Sequence, residues 1–449
     1  MGHLRTLLVA AAWTPALLFA NAGIMSPGFT GAPVDGGRQC AACHTGSPPV
    51  NQGPGRILVR ANAYTPGVRQ TITVEVTDPN ALRWGFQLTA RMARDLTSKG
   101  GSFAPSDSLH IVCANGSLAP CGGEAVEFAG HTVQSSTGGQ GGSRSWAVQW
   151  TPPGRDAGPV VFYAAGISGN NDGRDSGDRV YTATAQVSAA ECNLSETPQI
   201  RTLLPGVVNA GSFEGGIAPN GMFTVFGNGF ASTQTQYAAV LGDLVNGVLQ
   251  PDLACVAVRV GTELARPFYV QSDQINAQAP LLETLGNLAV QVVLNPGTPN
   301  ERSSAPVGVT ATAAKPGFFT FNGRSIAALN GSRNNAILAE PSVIRGGVTA
   351  RPGEVVILYG TGFGLTDPVY QPGEFARGLA PLREAPVITI GGVTLSPAQI
   401  LYAGLSPDAP GFYQFNLVVP PATPDGDIPV TIRMGSANTQ GGATIPVRR

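Results

Sequence analysis

Cys40, Cys43 and His44 stand together in the run CAACH, the one place in the chain where two cysteines and a histidine meet. Two thiols with a two-residue spacer and a histidine directly after them are the parts of a c-type haem attachment. Each sulfur adds across one vinyl group along the porphyrin edge, and the imidazole reaches the iron as its proximal ligand. A Cys40–Cys43 disulfide is the main rival and needs no cofactor. A structural zinc site requires two more Cys or His at close spacing, whereas the next cysteine after Cys43 is Cys113. A thioredoxin-like motif lacks its βαβ surroundings. The iron also needs a sixth ligand or an open face. His131, in EFAGHTVQ, is the preferred distal ligand, because a strand end before a polar loop can present it. His110, Met92 and Met25 are the other candidates. A second histidine gives a lower potential than a methionine.

Haem is attached in this way outside the cytoplasm, so the motif demands export. Residues 1–22, MGHLRTLLVAAAWTPALLFANA, supply it: a short basic start, an apolar run from Leu7 to Ala20, and small residues before a cleavage point after Ala22. The run is short for a membrane span and contains Pro15. No later segment has the length and hydropathy to cross a bilayer. The expected location is therefore the periplasm, the outer surface or the medium. Four further cysteines fit that oxidising setting. Cys113 and Cys121 bracket CANGSLAPC, whose Asn-Gly and Pro favour a turn. A disulfide there contributes about 2–3 kcal/mol. Cys192 and Cys255 remain, and can clamp an inter-domain linker onto the next domain, although spacing alone does not fix connectivity.

The elements that must position these residues read as strands. Gly (59) and Pro (37) punctuate short runs of branched and aromatic residues. QTITVEV (70–76), WGFQLTA (84–90), WAVQW (146–150) and PVVFYAAG (159–166) alternate with the period of a pleated strand. The plan that follows is a first block over 23–189, a linker over 190–204, a second block over 205–315, a connector over 316–349 with room for a hairpin, and a third block over 350–449. The second and third blocks repeat one another. APNGMFTVFGNGF (218–230) aligns with ARPGEVVILYGTGF (350–363), and QINAQAP (274–280) with QFNLVVP (414–420). Each block is expected to be a β-sandwich, giving an all-β chain.

Other motifs are weaker. GTGFG (360–364) follows a strand-like run, but LTDPVYQPGE after it has no helical period, so the glycines read as a turn or bulge and not as a dinucleotide fingerprint. GNNDGRDSGD (169–178) offers oxygen ligands that suit calcium around Asn170–Asp178, without the spacing of an EF-hand; a solvated turn is the plainer reading. No HExxH, GxSxG or Walker loop is present, and no catalytic constellation emerges. Charged residues are 12% of the chain, the net charge is -1, and there is no basic stripe for nucleic acid.

The first block resembles the reelin-type (Reeler) domain in a bacterial form carrying CxxCH. The resemblance runs through GFTGAPVDGGRQCAACH (28–44), RWGFQLTA (83–90), His131, WAVQWTPP (146–153), GPVVFYAAGISGNNDG (158–173) and GDRVYTAT (177–184). It implies an immunoglobulin-like sandwich, and it places His131 at a histidine found before the family's Trp motif. Fold alone implies no redox role. Residues 205–449 resemble a C-terminal module common in Acidobacteria such as Solibacter, through VVNAGSF (207–213), PFYVQSDQINAQAP (267–280) and VVILYGTGFG (355–364). The Gly-x-Gly-Phe turn is also similar to IPT/TIG immunoglobulin-like domains. The expectation is an exported chain of tandem immunoglobulin-like sandwiches, its first domain carrying haem c for electron transfer to a redox partner yet to be identified. The alternative is a non-redox surface protein for adhesion or for binding carbohydrate or protein, with Cys40 and Cys43 in a disulfide.

Overall fold

The computed structural model describes residues 24–45, 48–137, 139, 142–233 and 235–449. The predicted signal segment, 1–22, lies outside the described residues. Among the described residues the chain is almost wholly β, with short strands in six sheets joined by turns and occasional 3-10 turns. It divides into two compact units. One comprises residues up to Ala61 with Thr71–Trp150 and Val160–Gln186; the other comprises Asn62–Gln70, Thr151–Pro159 and Val187–Arg449.

Ten strands build the first block: β1 (Arg56–Arg60), β2 (Gln70–Thr77), β3 (Arg83–Met92), β4 (Asp95–Lys99), β5 (Ser102–Ala104), β6 (Leu109–Cys113), β7 (Glu127–His131), β8 (Ser143–Thr151), β9 (Val160–Gly169) and β10 (Arg179–Val187). They form two sheets, ordered β1-β2-β8-β5 and β10-β9-β3-β7-β6, with β4 on β3. Alternation puts Ile72, Val74 and Val76 of β2 and Trp146, Val148 and Trp150 of β8 inside. Opposite them lie Phe86 and Leu88 of β3 and Phe162 of β9. The rings of Phe86 and Trp146 are 4.8 Å apart, and those of Trp150 and Phe162 are 4.9 Å apart, edge to face.

The internal repeat is visible strand by strand in the second unit. Met222–Asn228 pairs with Gln274–Gln278, which pairs with Arg266–Gln271. Val355–Thr361 pairs with Tyr413–Val418, which pairs with Ile400–Leu405. Even the irregularity recurs, as a register shift at Pro267/Tyr269 in one copy and at Ile400/Tyr402 in the other. The Gly-x-Gly-Phe turns have one cause in both. Gly229 and Gly362 adopt positive φ (65° and 78°), and a Cβ on Gly227 or Gly360 would lie 2.4 Å or 2.9 Å from the buried ring of Phe230 or Phe363. The glycines admit a core phenylalanine beneath the strand end.

Two segments differ from the domain plan read from sequence. The linker over 190–204 is built into the second sandwich: Gln199–Ile200 pairs with Met222–Asn228, Leu194 is buried in that core, and Cys192 is bonded to Cys255. The connector over 316–349 contributes Gly317–Phe318, Ala328–Asn330 and Ala336–Ile337 to the third sandwich, the last two as an antiparallel pair. Both segments look polar and turn-rich because strands of two or three residues bury very few side chains.

Candidate functional site

Strand β3 is buried along nearly its whole length, on both faces. Its inner face meets the other sheet. Its outer face carries Gln87, Thr89 and Arg91, polar side chains that a solvated sheet would leave exposed. They are covered by the segment 24–45, which crosses the sheet as a strap. The Gln87 amide holds the strap twice: Nε2 donates to the Ser26 carbonyl at 2.9 Å, and Oε1 accepts from the Phe29 N–H at 2.6 Å. Further along, Arg91 Nη2 donates to both carboxylate oxygens of Asp35, at 2.9 and 2.7 Å. The remaining guanidinium donors reach Thr89 Oγ1 and the Leu96 carbonyl. A buried charge is tolerable only when its donors are satisfied in this way.

The strap ends in the cysteine motif. Cys40–Ala42 forms one 3-10 turn, and the Cys40 carbonyl accepts from the N–H groups of both Cys43 (3.2 Å) and His44 (3.0 Å). One helical turn brings positions i, i+3 and i+4 to a common side, so the three side chains share a face. Cys40 is buried against Ala165 of β9 and Val180 of β10. Burial pushes its thiol up to about 12. Cys40 and Cys43 are both thiols, while Cys113–Cys121 and Cys192–Cys255 are disulfides. His44 is oriented by Asp178, whose Oδ2 lies 2.6 Å from Nδ1. The Asp178 carboxylate is itself buried and fixed by the Asn170 N–H, which donates to Oδ1 at 3.1 Å. Engaging Nδ1 with a carboxylate directs Nε2 to the other side of the ring, the arrangement common to metal-bound histidines.

Cys40, Cys43, His44 and His131 line one cavity of about 780 Å³, within the range of sites that enclose a cofactor. His131 is buried at the end of β7. Its Nδ1 lies 3.1 Å from the Phe86 N–H and 3.3 Å from the Phe86 carbonyl, so either tautomer has a partner. Desolvation pushes its pKa down to about 4, keeping the imidazole neutral at neutral pH, as a metal ligand must be. The ring lies against Gly85, where a Cβ would come within 2.4 Å of Cε1. Met25 also lines the cavity; His110 and Met92 do not. The lining includes the apolar Ile24, Phe29 and Ile167, the last packed beside Cys40, and carries three arginines, Arg38, Arg83 and Arg174, against the single carboxylate of Asp178. An apolar macrocycle bearing acidic groups fits such a lining, with thiols for its edge and imidazoles for its metal.

Sequence reasoning did not single out Asp178 as the partner of His44, nor the arginines, nor the Gln87 and Arg91 anchors. Asp178 sits in the loop read as a turn or calcium site. In that loop the oxygens of Asn170 and Asp172 accept from the backbone N–H groups of Asp172 and Arg174. Among the described residues, no three His, Cys, Asp or Glu side chains converge as metal ligands.

No family model matches the chain, and no curated protein matches it. Solved structures do. The Reelin-N domain of F-spondin is 15% identical, covering 34% of this chain and 95% of that one, with a TM-score of 0.22. The human F-spondin reeler domain is also 15% identical, covering 31% and 97%, with a TM-score of 0.21. The full extracellular region of plexin A4 is 10% identical, covering 89% of this chain and 34% of that one, with a TM-score of 0.19. Identity at this level speaks to fold only, and the TM-scores add no weight. The sandwich architecture stands on the sheets described above. Two disulfides fit an exported protein, and no helix among the described residues is long and apolar enough to cross a membrane.

Proposed function

We propose that the first block carries one covalently bound haem, and that the protein transfers electrons outside the cytoplasm. Cys40 and Cys43 would form the two thioethers, His44 would be the proximal ligand and His131 the distal one. When bound, the haem supplies one-electron chemistry. The chain's own residues do the rest. Asp178 fixes the His44 ring and raises its basicity. The apolar wall about Cys40 excludes water, and Gly85 leaves room for the His131 ring.

The observation that carries this reading is the convergence on one cavity of the CxxCH motif and a buried histidine from the far end of β7.

The test is a pyridine haemochrome spectrum of residues 23–449 exported in a host with c-type maturation machinery. A c-type α-band is expected, and it should vanish in Cys40→Ala/Cys43→Ala. His131→Ala should retain the band and change the spin state of the iron. Absence of any band, with a reducible Cys40–Cys43 bridge found by mass spectrometry, would sink the cytochrome reading in favour of a surface adhesion or ligand-binding protein.

A further inference from the structure

The repeated sandwiches of the second unit share side chains that their cores do not require. In the second sandwich Phe223, Val225, Ile275 and Ala277 are buried in the core, so Phe226, Gln274 and Asn276 take the outer face of the sheet. In the third, Val356, Leu358, Tyr413 and Phe415 are buried, and Tyr359, Gln414 and Asn416 lie outside. Phe226 stands across the strands from Gln274, as Tyr359 does from Gln414. Gln274 Nε2 donates to Asn276 Oδ1 at 2.9 Å, and Gln414 Nε2 to Asn416 Oδ1 at 2.8 Å. Each asparagine is paired with a tyrosine placed directly after the register shift, Tyr269 in one copy and Tyr402 in the other. The outer positions beside this set are not shared. Met222 and Gln278 stand where the third sandwich has Val355 and Val418, and Thr224 stands where it has Ile357. Packing explains why inner positions stay apolar after duplication. It does not explain an aromatic–Gln–Asn–Tyr set kept on a half-exposed face while its neighbours diverge.

Every member of the set is half-buried, and none carries a charge at neutral pH. The tyrosine hydroxyls are committed, Tyr269 donating to Gln271 Oε1 at 2.5 Å and Tyr402 to the Leu405 carbonyl at 2.7 Å, which holds the rings in place. The amide pair leaves the Asn N–H groups and the Gln carbonyl without a partner among the described residues, so each face offers both a donor and an acceptor. A further aromatic extends each face. Phe412 stacks on Tyr359 with ring centroids 4.9 Å apart. Phe213, 6.3 Å from Phe226, is 58% exposed and sits at a φ of 58°, which a bulky side chain seldom adopts. Charged groups stand at the margins: Arg201 over Phe226, Asp273 on Gln271, and Asp408 near Tyr359. Rings set beside neutral donors and acceptors match a ligand with apolar C–H faces rimmed by hydroxyl groups, which is a sugar ring. We propose that these two faces are binding subsites for a neutral polysaccharide. The aromatic residue and the tyrosine pack against sugar faces, and the Gln–Asn pair exchanges hydrogen bonds with hydroxyls. This activity belongs to the second unit and does not depend on the haem reading of the first.

The experiment is affinity electrophoresis of the full exported chain in native gels containing β-glucan, xyloglucan, galactomannan or dextran, with polygalacturonate as the anionic control. At least one neutral polymer should retard the wild type, and polygalacturonate should not. Gln274→Ala/Asn276→Ala and Gln414→Ala/Asn416→Ala should each weaken retardation at least about tenfold, and the four changes together should abolish it, because two linked subsites bind more tightly than one. Phe213→Ala, on an exposed loop side chain that supports no core, should weaken it as well, and covers the case in which an amide variant fails to fold. Val387→Thr is the control, on an exposed position of the opposite sheet of the third sandwich. It should migrate like the wild type. Cys40→Ala/Cys43→Ala should also be retarded like the wild type, which separates this proposal from the haem reading: loss of haem with retention of binding sinks only the latter. No retardation of the wild type by any of the neutral polymers, equal retardation by polygalacturonate, or unchanged retardation of Phe213→Ala and of the folded amide variants would each overturn the proposal.

Discussion

The orientation of one imidazole decides how the candidate site works. His44 follows its cysteines directly, so the motif alone supplies a ligand, but not the direction in which it points. Asp178 settles that direction through a 2.6 Å contact to Nδ1. Replacing the carboxylate by a neutral amide in Asp178→Asn keeps the shape and removes the charge. With less electron density on the ring, the ferric state should lose part of its preference and the midpoint potential should rise. Spectroelectrochemistry on the holoprotein measures this, and an unchanged potential at equal haem content would show that Asp178 only packs. At this scale the sequence was legible where chemistry is contiguous. Cys40, Cys43 and His44 could be read at once. His131 could be nominated as a strand-end histidine. Asp178 could not be paired with His44, because 134 residues separate them and its Asn/Asp/Gly-rich surroundings describe a turn equally well.

At the scale of elements, the decisive feature is the strap across the outer face of β3. Alternation along WGFQLTA predicts one buried and one solvated face; both are buried because Gln87 and Arg91 hold the strap in place. The Arg91–Asp35 pair is the stronger anchor, its side chains only 4% and 16% exposed. Asp35→Ala would leave Arg91 buried without its counter-charge, at a cost of about 3–5 kcal/mol. The expected result is a strap over 24–45 that proteases cut and whose amides exchange fast, on a sandwich that stays folded. Glu75→Ala is the control. Its partner Arg60 is 62% exposed, and losing that pair should cost less than about 1 kcal/mol and leave the strap protected. If both variants resist cleavage equally, the strap is held by its apolar contacts instead. The paired strands of the repeat were legible because Gly-x-Gly-Phe and the buried alternation recur. The short strands over 190–204 and 316–349 were not, because two- or three-residue strands carry no period to detect.

The whole molecule offers a way to watch its parts separately. Beyond the predicted signal segment its tryptophans are Trp84, Trp146 and Trp150, all within the first unit. Cys192–Cys255 lies in the second unit and closes a loop with a sequence separation of 63 residues. Cys192→Ala/Cys255→Ala should therefore destabilise the second sandwich by about 4 kcal/mol, in the chain-entropy account. Denaturation followed by far-UV circular dichroism should shift to lower denaturant, while tryptophan fluorescence keeps its midpoint. A joint shift of both signals would mean that the units unfold as one.

The strap precedes in the chain everything on which it docks. In a protein exported as it is made, N-terminus first, Cys40, Cys43 and His44 emerge while β3, β9, β10 and Asp178 are still to come. At about 5–20 residues per second, the 134 residues between His44 and Asp178 represent roughly 7–27 s. During that interval, under the proposed function, Cys40 would be in water with the ordinary acidity of a thiol, open to the enzyme that attaches the haem. Once β10 arrives the strap can close and the same sulfur is sealed against Ala165 and Val180. Under the proposed function the fold would then act as a timer: the order of residues along the chain would set how long the thiols remain accessible before the site shuts.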